Sequence, residues 1–83
     1  MTLTKYTLTR KVAVIHAIKC NKARNFNEAT QSSNKLSDLT KEIYDANDSD
    51  LLKINSSIDI WSIQSPIANE MEIERLMNRI INA

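Results

Sequence analysis

His16 and Cys20 are the chain's single histidine and single cysteine, and they stand four residues apart. On a helix that spacing puts an imidazole and a thiol on one face, the pairing that a cysteine nucleophile and its general base require. Such chemistry also needs a concave, water-excluding site with donors for a developing oxyanion, and a chain without glycine has no glycine-built loop to supply them. The same two side chains are zinc donors, but structural zinc takes four ligands. With no further His or Cys, the rest would come from carboxylates or a second protomer. A structural or surface role is expected for both residues. Asp45, Asp48 and Asp50 imitate the start of a calcium loop but lack its glycine and its bidentate glutamate, and read as helix caps. Glu70, Glu72 and Glu74 read as the acidic opening of a helix rather than as a paired acid and base. No catalytic residue, cofactor or metal is assigned, and the chain is expected to be non-enzymatic.

The charge pattern carries more information. Residues 1–24 hold Lys5, Arg10, Lys11, Lys19, Lys22 and Arg24 with no acid, a charge of +6, whereas residues 25–83 set five basic against ten acidic side chains, −5. These six cations are the candidate partner-binding residues, suited to steering an acidic or amphipathic protein segment. Clustered lysine and arginine also neutralise phosphates, so a small nucleic-acid-binding regulator using the basic N-terminal helix is the alternative. The apolar centre "VAVIHAI" weighs against it, as do the scarcity of stacking partners beyond Tyr6 and Phe26 and the acidic remainder. Pairing of the basic third with the chain's own carboxylates stays open beside both. A basic amphipathic helix adsorbs weakly to anionic lipid, which favours a membrane-associated partner over autonomous anchoring.

Eighty-three residues make a single domain over 1–83, with a core thin enough that docking or a homo-oligomer would add needed stability. Hydrophobic residues at 42% and charged ones at 25% belong to a globular chain, and the absence of glycine favours helices over tight β turns. One cysteine forms no internal disulfide, so a cytoplasmic location is expected. The apolar run around Val12–Ile18 falls far short of the roughly 20 residues a membrane span needs, and no small-residue cleavage site follows it.

Helical spacing predicts an all-α fold, a small bundle of three to four short helices. Residues 1–7 are expected to be extended or disordered, with Thr7 capping a helix from Leu8 to Lys22. A second helix starts near Glu28, with Asn25 or Asn27 as cap and Phe26 as the upstream half of a hydrophobic staple. Its inward stripe is Ala29, Ser32 or Ser33, Leu36, Leu39, Ile43 and Tyr44 or Ala46. "NDSD" at 47–50 is a break recapped by Asp48 or Ser49. Leu51, Ile54, Ile58 and Trp61 then form an apolar seam that Leu52, Ile60 and Ile63 widen. Ser65-Pro66 reads as a cap followed by proline at the first position of a fourth helix, Pro66 to about Ile81. Ile67, Met71, Ile73, Leu76, Met77, Ile80 and Ile81 are its apolar set, and Trp61 is the expected core anchor.

Read from "MTLTKYTLTRKVAVIHAIKCNKARNFNEA" onward, the chain resembles the small lysis-inhibition accessory proteins of T-even bacteriophages. The likeness lies in length, in this opening stretch and in an asparagine- and isoleucine-rich character. It implies a phage-encoded protein of the host cytosol that binds the cytosolic part of a holin and helps the antiholin keep the lysis pore closed, recruited to the inner membrane by that partner. It implies no catalytic residue and transfers no binding position.

Overall fold

The computed structural model describes residues 3–81, and they are all-α. Helix α1 covers Lys5–Lys22, α2 Phe26–Asp45, α3 Leu51–Ser62 and α4 Glu70–Ile81, with a 3-10 turn at Asp48–Asp50 running directly into α3. The small helical bundle expected from the spacing is present.

Each helix start has a local cause, and three differ from expectation. Helix α1 opens at Lys5 because Thr4 and Thr7 cap reciprocally: the Thr4 hydroxyl accepts the Thr7 amide at 3.0 Å and the Thr7 hydroxyl accepts the Thr4 amide at 3.0 Å. The extended run expected over 1–7 is thus corrected: Lys5 to Thr7 are helical, Leu3 packs on the core, and Met1 and Thr2 lie outside the described residues. Helix α2 starts at Phe26, ahead of Glu28, because the Asn25 side chain accepts the Glu28 amide at 2.9 Å. Phe26 is then the first helical residue instead of the one before the cap, and at 86% exposure it staples nothing. At 47–50 the expected recapping by Asp48 or Ser49 is absent among the described residues; the 3-10 turn supplies backbone bonds in its place, Asp50 N–H donating to Asn47 O at 2.9 Å.

The fourth helix starts latest relative to its signal. Ser65-Pro66 does not open α4; the bond is cis, and the chain stays non-helical until Asn69 caps Glu70–Ile81, its side chain accepting the Met71 amide at 2.8 Å. The carbonyls of Gln64, Pro66 and Ile67 turn towards lysines of α1 and so are not aligned along a helix axis.

Helix α1 is the hub. Helices α2, α3 and α4 each pack against it and α2 also packs on α3, while no Cα of α3 comes within 8 Å of one in α4. Leu8, Val12, Ile15 and Ile18 form its inward stripe, and Val14 broadens it. Leu39 and Ile43 of α2, the seam Leu51, Ile54, Ile58 and Trp61 of α3, Ala68 and Ile73 complete one core. Each fully buried aliphatic side chain contributes about 1.5–3 kcal/mol against roughly 1–2 kcal/mol of backbone ordering per residue, so a core this small leaves a narrow margin. Of the alternatives for α2, Ser32 is buried while Ser33 is exposed, and Ala46 is partly buried while Tyr44 is exposed. Leu52, Ile60 and Ile63 do not widen the α3 seam; they are exposed.

Candidate interaction site

Three lysines of α1 lie along or at the edge of its buried face. Leu8, Lys11, Ile15, Lys19 and Lys22 succeed one another at intervals of three or four residues, so each lysine leaves the helix on the side that packs. Lys11 Nζ lies 2.6 Å from Asp59 Oδ1 and 3.0 Å from Asn55 Oδ1, both on α3. Lys22 Nζ lies 2.6 Å from Glu72 Oε1 on α4 and donates to Ile67 O at 3.0 Å. Lys5 Nζ donates to Tyr44 O at 2.9 Å, tying the start of α1 to the end of α2. The two arginines point elsewhere: Arg10 stacks over Tyr6 at 5.0 Å and donates to its hydroxyl, and Arg24 sits 3.7 Å from Glu28 on the same turn. The six residues therefore do not form one docking face. The four lysines bond to other elements of the chain, and of the six residues Arg10, Lys22 and Arg24 are exposed.

Lys19 is the extreme case, 2% exposed and among the largest fully buried side chains. Its stem fills core volume, its ammonium lies 5.5 Å from the centroid of Trp61, and it donates to Gln64 O and to Pro66 O at 2.8 Å. Desolvation by burial holds its pKa below the ordinary value. Two carbonyls and an aromatic face replace the carboxylate that a buried cation usually finds. The Glu72 carboxyl is lowered, first by the hydrogen bond from Lys22.

His16 and Cys20 sit side by side on α1, with Cys20 Sγ 3.5 Å from His16 Nε2. His16 Nδ1 is 2.8 Å from the hydroxyl of buried Ser32 on α2. The trio satisfies its own polar atoms between two packed helices, and among the described residues no carboxylate orients the imidazole. Among the described residues, no group of three or more His, Cys, Asp or Glu is placed to hold a metal ion.

What faces outward is apolar. Leu52, Ile60 and Ile63 line the side of α3 opposite its buried seam, and Ile67 and Met71 follow on the connection and the first turn of α4. A groove of about 510 Å³ opens where α3 and α4 sit apart on α1. Leu8, Ala68 and Ile73 form its floor, Leu3, Ile63 and Met77 its walls, and Lys11, Asp59, Glu70 and Glu74 its rim. No single stretch of sequence announces this groove, since its residues come from three separate segments. The one available sign was Ile63, the end of a second apolar line on α3 that lies opposite a seam already complete.

No protein-family model, curated protein or solved structure matches the chain. No helix of the described residues is long and apolar enough to cross a membrane.

Proposed function

We propose that the chain is a non-enzymatic protein-interaction module, and, following the resemblance of its opening stretch, that it is a phage accessory regulator delaying host lysis by binding the cytosolic part of a holin and antiholin complex. The observation that carries the module reading is the exposed apolar line of Leu52, Ile60, Ile63 and Ile67 in so small a chain. Solvent-facing aliphatic side chains grouped on one side of a helix are the usual core of a protein contact. The lysines contribute by fixing the elements that present this line, and Arg10 and Arg24 are left for steering. Inhibition then works by mass action: preferential binding to the closed or inhibited form of the partner shifts its population.

The nucleic-acid alternative loses support because Lys19 is buried and Lys11 and Lys22 are each paired with a carboxylate of the chain, whereas phosphate binding needs accessible, unpaired cations. The test of the proposal is capture from phage-infected cells by the tagged, folded chain. Holin or antiholin is expected in the captured fraction. Recovery of no specific protein under conditions where the chain is folded overturns the proposal, as does salt-sensitive duplex binding in a gel shift without any protein partner.

A further inference from the structure

The groove between α1, α3 and α4 has a chemistry that specifies its occupant. Its volume of about 510 Å³ falls within the roughly 300–1,000 Å³ of ligand-binding clefts, room for a few side chains. Most of the floor and walls is aliphatic; Thr7, Asn55 and Ser62 interrupt it, and each already bonds within the chain, Thr7 to Thr4 O, Asn55 to Lys11 and Ser62 to Asp59 O. Recognition is left to apolar insertion below and charge at the lip.

The lip is acidic. Lys11 and Asp59 neutralise one another at 2.6 Å, which leaves Glu70 and Glu74, and among the described residues neither has a cation within salt-bridge distance. The two stand four apart on α4, where like charges on one helix face repel. For Glu70 the helix N-terminus offsets part of that, but not for Glu74, a turn further on. A ligand cation between them relieves the repulsion.

We infer that this groove binds a short cationic amphipathic segment of another protein, its apolar side chains set against Ile63, Ile73 and Met77 and its lysine or arginine against Glu70 and Glu74. The inference rests on the interaction-module reading, adds to the exposed apolar line a groove that shares Ile63 with it, and names the partner chemistry. A second copy of this chain fits poorly, because its own basic stretch is engaged internally and a two-fold contact through the groove would set the Glu70 and Glu74 lips against each other. An anionic lipid surface is repelled by the same lip.

The test is a titration of the isotope-labelled full chain, followed by amide NMR shifts, with two synthetic peptides of about 12 residues sharing one helical apolar pattern. One carries lysine at its polar positions and the other glutamate. The lysine peptide is expected to shift the amides of Thr7, Ile63, Ile73 and Met77, and the glutamate peptide to leave them in place. The double variant Glu70→Gln/Glu74→Gln weakens the lysine peptide about fivefold to tenfold. Asp45→Asn/Asp48→Asn, an equal charge change outside the groove, leaves its affinity unaltered. Circular dichroism checks that each variant is folded. Equal binding of both peptides, no binding of the lysine peptide, equal weakening by the two double variants, or peptide-free broadening of the groove resonances that grows with chain concentration overturns the inference. The infected-cell capture separates the two levels. If the wild-type chain and Glu70→Gln/Glu74→Gln capture holin or antiholin equally, the groove is not the contact and the module stands; if the wild-type chain captures nothing, the module falls.

Discussion

Lys19 shows how one residue can invert the meaning of a charge pattern. A +6 segment reads as an outward lure, yet its most central cation is buried, with its ammonium on two backbone carbonyls of the 64–66 stretch and beside the Trp61 ring. Lys19→Met keeps the aliphatic stem and removes the donors. It is expected to lower stability by about 1–3 kcal/mol through the stranded acceptors, read in chemical denaturation, with faster amide exchange at Ala68, whose amide bonds to Ser62 O. Because burial lowers its folded-state pKa below the ordinary 10.5, the unfolded chain binds more protons between those two values. Stability through this group therefore rises with pH across that window, and the rise is absent in Lys19→Met. Glu72 works in the opposite direction. Its carboxyl is lowered by Lys22, so its contribution is present above the ordinary carboxylate pKa of 4.5 and lost as pH falls through the depressed value. An acid titration of unfolding should show a shallower limb for Glu72→Gln than for the wild-type chain.

At the scale of elements, local signals were legible where nothing competed with them. The α3 seam of Leu51, Ile54, Ile58 and Trp61 was readable because all four lie on one uninterrupted helix at regular spacing, and all four are buried. The start of α1 was misplaced because threonines recur at 4, 7 and 9, and only the reciprocal bond of Thr4 with Thr7 selects the first of them. Thr4→Ala is expected to cost about 1 kcal/mol and to fray the turn that carries Lys5 and Leu8, seen as faster amide exchange at Leu8, which donates to Thr4 O. The start of α4 was misplaced for a different reason. Ser65-Pro66 is a valid local cap, but distant lysines take the carbonyls of Pro66 and Ile67, and tertiary bonding overrides the local preference. Lys19 was itself legible as inward-facing, with Lys11 and Lys22 at the edge of the same face, since all three sit at helical intervals from Leu8 and Ile15; charge summed by segment rather than by helix face conceals it.

For the whole molecule, a hub helix serves three neighbours with one broad face. That arrangement leaves α3 and α4 splayed, opens the groove between them, and turns Leu52, Ile60 and Ile63 to solvent. None of this follows from a single segment, because a gap between two elements is set by how both sit on a third. The account assigns the partner contact to this apolar side and assigns the basic stretch to internal bracing. The most direct measurement compares capture of holin or antiholin from infected cells by two folded variants, Ile60→Ser/Ile63→Ser and Arg10→Gln/Arg24→Gln. Loss of capture in the isoleucine variant with capture retained in the arginine variant is the predicted result; retention in the isoleucine variant with loss in the arginine variant would contradict it.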